Sequence, residues 1–323
     1  MRYTPPEFET LSQMSAIDVG RLTEEQARKI LEDIRWPGGV ECPHCKGRDV
    51  VRINGKAEKV RDGLFRCKGC RKQFTVTVGT VMEHTHITLR QWLQAFHSMC
   101  SHKKGVSSLQ LQRNLGLRSY RSAWHLTHRI RAAMREDPFA GLLKGTVEVD
   151  ETYIGGRPPK DGKKHKRGRG TEKAPVLAMV ERGGKVVTRP VENVTARTLK
   201  AAIREAVDRE SRIITDEYVS YSGIGKEFKG GHEIVNHGLD EYVRGDVFTN
   251  TAESFFSLLK RGVHGTFHHI SKKHLEKYCN EFSFRWDNRK VTDGERAQAA
   301  VGSMGGKRLK LKDLLGWDKA KVN

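Results

Sequence analysis

The chain has 323 residues, enough for two or more domains with a sizeable hydrophobic core. Lys and Arg total 59 against 39 Asp and Glu, and the resulting net charge of +20 favours a nucleic-acid partner over acidic metabolites. The longest apolar run, 176–180, is too short to span a bilayer, and the N-terminal residues lack an apolar signal core. We therefore expect no membrane association and a cytoplasmic, nucleoid-associated protein in which cysteines stay reduced.

A predicted helical segment, 1–35, is followed by two CxxC pairs. Each pair lets two thiolates hold one ion, and two pairs complete a tetrahedral site that leaves no open position for a substrate. Short alternating stretches between and after the pairs predict small strands. We therefore predict a zinc ribbon over 36–82 with a structural Zn²⁺, rather than redox chemistry or disulfides. Its ligands would be Cys42, Cys45, Cys67 and Cys70.

Residues 86–138 have helical periodicity, and a turn at Gly116 separates two of the predicted helices. This pattern suggests a helix-turn-helix-like DNA-binding domain whose last helix enters a major groove. A solvated basic face on an ordinary helical packing unit is the alternative reading. The candidate DNA contacts are Arg118, Arg121, His125 and Arg129.

Beyond Pro138 the sequence alternates between strand-like and helical stretches. Predicted strands cover 146–150, 175–181, 185–191, 212–215 and 232–235, with helices over 196–208 and 251–261. Three strands, a helix, a fourth strand and later helices form the order of an RNase H-like domain, in which the first strand, the fourth strand and a later helix converge. We predict an α/β, RNase H-like catalytic domain with a mixed sheet over 143–300, and a basic C-terminal tail over 301–323.

Three acidic residues fall on those converging elements, namely Asp150, Asp216 and Glu253. Clustered carboxylates repel a polyanion unless divalent metal ions intervene. An acidic trio in a basic chain therefore indicates a metal-dependent enzyme that acts on nucleic-acid phosphodiesters. Spacing alone leaves surface acids on an ordinary α/β domain as an alternative. Glu148, Glu151 and Glu217 are the rival acids if the register differs.

Further basic residues lie close to the acidic trio in sequence. A Gly-rich stretch, 155–170, is too polar to pack, and a basic pair ends the predicted helix that carries Glu253. We expect contacts with phosphates rather than sequence reading, and a merely solubilising loop is the alternative. The candidates are Lys163, Lys164, Lys166, Arg167, Arg169, Lys260 and Arg261.

Four features in this order resemble a known group of proteins: the zinc ribbon, VEVDETYIGG (147–156), NHGLDEYV (236–243) and TNTAESFFSLLKRG (249–262). From about Trp36 to Arg289, the chain resembles the zinc-ribbon, ISXO2-like group of bacterial insertion-sequence DDE transposases. The resemblance implies an RNase H-like core in which Asp150 and Asp216 are the paired metal ligands. It also implies Glu253 as the third acid, with Asn250 and His237 as auxiliary residues.

The resemblance implies a transposase that binds the terminal inverted repeats of its element and a double-stranded target DNA, as at least a dimer. We expect two Mg²⁺ or Mn²⁺ ions, bridged by Asp150 and each held by Asp216 or Glu253, to support strand cleavage and 3′-OH strand transfer. One alternative is a zinc-ribbon, helix-turn-helix regulator without catalysis. Another is an RNase H-like nuclease that does not join strands.

Overall fold

A computed structural model of the chain describes residues 10–53, 61–135, 141–155, 171 and 173–316. The chain divides into two compact units: unit 1 comprises Met1–Met134 together with Val291–Asn323, and unit 2 comprises Arg135–Lys290. The α-helices are α1 (Ala16–Arg21), α2 (Glu24–Arg35), α3 (Leu89–Ser101), α4 (Ser108–Leu115), α5 (Tyr120–Ala133), α6 (Ala196–Ala206), α7 (Asn250–Gly262), α8 (Leu275–Asp287), α9 (Asp293–Gly302) and α10 (Leu311–Leu315). The strands are β1 (Val50–Arg52), β2 (Phe65–Cys67), β3 (Gln73–Phe74), β4 (Thr146–Ile154), β5 (Ala174–Glu181), β6 (Val186–Pro190), β7 (Arg212–Asp216) and β8 (His232–Val235). None of the helices in these ranges is both long and apolar enough to cross a lipid bilayer.

Unit 1 contains a small antiparallel sheet, β1-β2-β3, whose strands are only two or three residues long. The sheet packs around a few aromatic rings, with Trp36 edge-on to Phe65 at 5.6 Å and Phe65 stacked on Phe74 at the same distance. Trp36 follows directly after α2, so the helix end and the sheet share one small core. The predicted zinc-ribbon strands are present, although the third is shorter than the alternating pattern suggested.

The C-terminal end of the chain packs within unit 1. Helix α9 lies against α3 and against the turn Leu11–Gln13, and the backbone N–H of Ser12 donates to Gln298 at 3.0 Å. Gly294 allows this approach, because a Cβ there would lie 2.8 Å from the carbonyl oxygen of Leu11. The sequence pattern predicts an α/β domain that extends to residue 300, whereas residues from Val291 onward belong to unit 1. Helical periodicity reveals that α9 has an apolar face but not which partner covers it.

The described part of the predicted basic tail is also packed in unit 1. Leu314 of α10 is buried, and the carbonyl oxygen of Leu309 lies 3.1 Å from Nε2 of His125. The ammonium group of Lys307 donates to the carbonyl oxygen of Ala133 at 2.9 Å. These contacts tie residues after 301 to α5.

Unit 2 contains, within its described residues, a five-stranded mixed sheet with the order β6-β5-β4-β7-β8. The first three strands in sequence, β4, β5 and β6, pair antiparallel, whereas β7 runs parallel to β4 and β8 runs parallel to β7. An intervening helix, α6, makes the parallel connection from β6 to β7 possible. The predicted strand and helix order is therefore confirmed, with boundaries shifted by a few residues.

The two faces of this sheet bury different helices, as the alternation of side chains along a strand requires. Val147 and Val149 point to one face, where they pack in a cluster with Leu199 and Ile203 of α6. On the other face, residues of β5 and β6 pack against α7 and α8, in a core that includes Phe255. Glu148 and Asp150, which alternate with these valines along β4, therefore lie on the α7 face of the sheet. The candidate site is on this face.

Candidate active site and metal centre

The four cysteines of the two CxxC pairs come together in unit 1. Their sulfur atoms all lie within 4.8 Å of one another, with 3.6 Å between Cys42 and Cys70 and 3.5 Å between Cys45 and Cys67. Four sulfurs around one Zn²⁺ lie about 3.8 Å apart, because tetrahedral Zn–S bonds are about 2.3 Å long. The backbone N–H of Cys70 donates to the sulfur of Cys67 and lowers the pKa of that thiol to about 7. The donor set and its geometry fit a tetrahedral metal ion.

In unit 2, the parallel pairing of β4 with β7 determines where the first two predicted acids lie. Thr146 pairs with Arg212 and Glu148 pairs with Ile214. Continuing this register by two residues places Asp150 beside Asp216, and both follow Glu148 and Ile214 on the α7 face of the sheet. Two acids 66 positions apart in sequence therefore become neighbours on adjacent strands.

The third predicted acid approaches from α7, in whose first turn Glu253 lies. Burial, followed by the negative charges of Glu151, Asp216 and Glu253 in that order, raises the pKa of Asp150 to about 7. This shift has the sign expected when desolvation and like charges both disfavour an ionised carboxyl group. A divalent cation between these carboxylates would relieve the repulsion.

The acidic cluster is more open than the cysteine cluster. Within the described residues, only the four cysteines bring three or more ligand atoms all within 4.8 Å of one another. Glu253 is about half exposed, whereas Asp150 and Asp216 are partly buried at the sheet. The three acids are therefore partly accessible to solvent and do not form a closed cage around one ion.

His237, predicted as an auxiliary residue, lies beside Glu253. Its Nε2 atom is 3.8 Å from a carboxylate oxygen of Glu253 and 3.3 Å from the hydroxyl of Thr249. The centre of the Tyr242 ring lies 5.2 Å from that of the His237 ring. Asn250, the other auxiliary candidate, is exposed at the start of α7. Both therefore lie on or next to the element that carries the third acid.

The rival acids make other contacts. Glu151 faces away from Asp150 along the strand, and its carboxylate accepts a hydrogen bond of 2.8 Å from the hydroxyl of Tyr221. Glu217 accepts one of 3.0 Å from the backbone N–H of His237, and backbone hydrogen bonds lower its pKa. Glu148 shares a face with Asp150 but is completely buried under the start of α7.

The predicted DNA-contacting residues of α5 and its preceding turn divide into two groups. Arg118 and Arg121 are exposed, and His125 is partly buried against Leu309. Arg129 is buried: its guanidinium donates to the carbonyl oxygen of Glu83 at 2.5 Å and lies over the ring of Trp92. Burial also lowers the pKa of Arg129 to about 10. This arginine is not on the surface in this structure, contrary to the helical-face prediction.

The remaining basic candidates belong to unit 2. Lys260 and Arg261 are exposed near the end of α7, where Lys260 lies 6.0 Å from the centre of the Phe256 ring. The five candidates of the Gly-rich stretch fall outside the described residues: Lys163, Lys164, Lys166, Arg167 and Arg169.

Comparison with known proteins identifies the class to which this chain belongs. Residues 142–287 match the ISXO2-like transposase domain, and residues 22–73 match the transposase zinc-ribbon domain. The chain is 29% identical over 276 residues to a Halobacterium salinarum protein named as an uncharacterized protein in transposable element ISH50, covering 82% of this chain and 91% of the relative. It is 32% identical over 108 residues to an uncharacterized transposase-like protein of Haemophilus influenzae, covering 33% of this chain and 85% of the relative. The chain belongs to the zinc-ribbon, ISXO2-like family of insertion-sequence transposases.

Proposed function

We propose that the chain is an active DNA transposase that binds the ends of its insertion sequence, cleaves there and joins the freed 3′-OH to target DNA. The observation that carries this proposal is the placement of Asp150 beside Asp216 on adjacent parallel strands, with Glu253 in the first turn of α7, in a chain that belongs to a family of transposases. A basic chain that places partly exposed carboxylates close together is suited to a polyanionic substrate only with divalent cations present.

We take the α/β unit to be RNase H-like, because three antiparallel strands are followed by two parallel strands on the other side of β4. In such a sheet, the acids of β4 and β7 lie side by side at one edge, and the helix after the sheet supplies a third acid. The order of these elements along the chain supports the same assignment.

The residues present fit divalent metal ions of the Mg²⁺ or Mn²⁺ class, because carboxylate oxygens are the ligands that such hard cations prefer. Asp150 would be shared between two ions, with Asp216 and Glu253 as further ligands and Asn250 or His237 at the periphery. Such ions supply Lewis-acid activation of the attacking oxygen and stabilisation of the leaving 3′ oxygen.

The chain itself must keep these carboxylates ionised, oriented and accessible to DNA. His237 is placed to restrain the carboxylate of Glu253, the most exposed of the three. A position partly buried at the sheet restricts the side-chain freedom of Asp150 and Asp216, so less entropy is lost when they bind a cation.

We assign DNA contacts to the exposed cations Arg118, Arg121, Lys260 and Arg261. The partly buried His125 would make a lesser contact, and the basic stretch 155–170 would bind further phosphates. The Cys₄ cluster would hold a structural Zn²⁺, since four thiolates leave no position for a substrate. Pairing of two element ends would require at least a dimer on DNA.

The test uses purified full-length protein and a donor plasmid that carries the gene with its native flanking DNA. We expect Mg²⁺- or Mn²⁺-dependent cleavage at the element ends and joining to a target plasmid. Asp150→Ala and Asp216→Ala should each lower both steps at least about a hundredfold, with DNA binding retained.

The two reactions discriminate between the alternatives. Cleavage without joining would indicate a nuclease, and specific DNA binding without metal-dependent cleavage would indicate a regulator. Wild-type activity in either Asp→Ala variant would contradict the assigned site. Glu205→Gln, which changes an exposed acid on α6 paired with Arg189, is the control for loss of a carboxylate elsewhere in unit 2.

A further inference from the structure

Glu148 is a completely buried carboxylate that lies two residues before Asp150 on the same face of β4. One of its oxygens accepts hydrogen bonds from the backbone N–H groups of Thr251 and Ala252, at 2.8 and 3.1 Å. The other accepts from the hydroxyl of Thr251 at 2.8 Å and from the guanidinium of Arg182 at 2.6 Å. Four donors therefore offset the cost of burying this charge.

Glu148 caps α7 from a distant strand, which differs from how this chain caps other helices. Thr23, Thr88 and Thr292 each cap the helix that follows them with their own hydroxyl. Thr249, which precedes α7, makes no such bond, and its hydroxyl lies against His237 instead. Two backbone N–H groups in the first turn of α7 donate to Glu148, so the helix start is tied to the strand that carries Asp150.

Arg182 extends this connection to the segment that leads into α7. The same guanidinium donates to the carbonyl oxygens of Asp246 and Phe248, at 2.6 and 2.9 Å. It also lies 3.7 Å from the centre of the Phe248 ring. One planar cation therefore holds Glu148 and the two residues through which the chain approaches the helix, a geometry that lysine cannot reproduce.

We infer that Glu148 and Arg182 form a positioning pair, which sets the distance between Asp150 and Glu253 and so the affinity of the site for divalent metal. Glu148 is two residues from Asp150 on one side of the contact, and Ala252 is adjacent to Glu253 on the other. Buried Glu148 and partly buried Arg182 thus connect β4, which carries Asp150, to the start of α7, which carries Glu253. This inference rests on the proposed function.

The first measurement needs neither DNA nor catalysis. Mn²⁺ binding to the zinc-loaded full-length protein is measured by calorimetry for the wild type, Glu148→Gln and Arg182→Lys. Glu148→Gln keeps the shape of the side chain but replaces one acceptor oxygen with a donor, which faces the N–H groups of α7 or the guanidinium. We expect the Mn²⁺ dissociation constant to rise at least about tenfold, a change of roughly 1.4 kcal/mol, with a smaller rise for Arg182→Lys.

Amide hydrogen exchange supplies the second measurement. Exchange in the peptide that contains Thr251 and Ala252 should accelerate at least about tenfold in Glu148→Gln, whereas exchange in α6 should stay within twofold of the wild type. If Glu148→Gln does not fold, Arg182→Lys decides both measurements, because it retains a cation beside Glu148.

Glu281→Gln is the matched control, because Glu281 is also completely buried in unit 2 and paired with an arginine, Arg285. We expect this variant to lose thermal stability without a change in Mn²⁺ affinity. Unchanged Mn²⁺ affinity in a folded Glu148→Gln, or an equal loss in Glu281→Gln, would overturn the inference.

Failure of the proposed function looks different. It would show as wild-type protein that binds no Mn²⁺ outside the cysteine site, or as Asp150→Asn that binds it normally. Where the wild type binds Mn²⁺ and Asp150→Asn does not, the proposed function stands, and either outcome named for Glu148→Gln and Glu281→Gln then overturns the inference about Glu148 alone.

Discussion

Glu148 and Asp150 lie two residues apart on one face of β4, yet their surroundings differ in kind. Glu148 has four hydrogen-bond donors, including an arginine. Asp150 accepts a hydrogen bond of 2.7 Å from the N–H of Glu151 and faces two further carboxylates. The first environment satisfies a buried carboxylate through hydrogen bonds within the fold, and the second leaves a carboxylate that a bound cation would stabilise.

The raised pKa of Asp150 predicts a pH-dependent cost to stability in metal-free protein. Its pKa is about 7 in the folded state and near its ordinary value of 3.8 when unfolded, so the folded state holds an extra proton between these values. Stability from this group is therefore lost as the pH rises from about 4 to 7. Asp150→Asn removes the penalty. Its stability relative to wild type should be higher at pH 8 than at pH 4.5 by roughly 2 kcal/mol, about half of what the full pKa shift corresponds to, because water partly screens this carboxylate.

Denaturant unfolding of zinc-loaded protein, without added Mg²⁺ or Mn²⁺, measures this difference at each pH. Glu205→Gln controls for removal of an exposed carboxylate in unit 2 and should show a nearly constant difference. A constant difference for Asp150→Asn as well would mean that the ionised Asp150 is not destabilised in this fold.

At the scale of elements, α5 shows that a helix rich in basic residues need not expose all of them. The exposed residues Arg118 and Arg121 lie at its N-terminal end, whereas Arg129 and Arg131 are buried further along. A buried guanidinium that donates to a backbone carbonyl and lies over Trp92 acts in packing. The basic composition of the helix therefore overstates the number of arginines that it presents to solvent.

We therefore expect substitution of the exposed arginines to change DNA binding, and substitution of the buried Arg129 to change stability. Replacing Arg118 and Arg121 together with alanine should lower the slope of log Kd against log salt concentration by about 2, because two phosphate contacts are lost. Arg129→Ala should leave that slope within about 0.5 and instead lower the melting temperature. Fluorescence anisotropy with duplex DNA of the element ends at several salt concentrations, together with thermal unfolding, separates the two. An equal slope change in Arg129→Ala would show that the helix presents this arginine to DNA after all.

At the scale of the whole molecule, unit 1 is built from both ends of the chain, with unit 2 inserted between them. Helix α9 lies more than 190 residues after α3 in sequence, and Arg296 of α9 donates to the carbonyl oxygen of Cys100 at 3.0 Å. Closing so long a loop costs conformational entropy, so the contact surface of α9 must contribute enough burial to offset it.

A substitution at Gly294 tests how much the packing of α9 stabilises unit 1, because a methyl group there would clash with the backbone of Leu11 and Ser12. We expect Gly294→Ala to destabilise unit 1 by about 1–3 kcal/mol, despite the better helix propensity of alanine. Gly302→Ala, in the same helix, meets only a methyl group of Ile34 at 3.9 Å and should be neutral or slightly stabilising. Hydrogen exchange in α3, measured for both variants, locates the effect. Wild-type protection of α3 in Gly294→Ala would show that α9 does not stabilise unit 1.

The sequence by itself determined the features that depend on local pattern or on fixed spacing. The CxxC pairs predicted the Cys₄ cluster, because a ligand pair on one turn needs no knowledge of the rest of the chain. Alternation predicted the strands of the mixed sheet, and chain order placed Asp150 and Asp216 on two of them. These signals also led to the family that the comparisons identify.

Only the tertiary structure decided which partner each buried charge has. Glu148 and Asp150 are equivalent by periodicity, and their separate environments arise from α7, more than 100 residues later in the chain. Periodicity likewise could not predict that Arg129 is buried or that α9 packs in unit 1. An amphipathic pattern specifies that a face is covered, but the covering element is selected by packing and electrostatics summed over the whole fold.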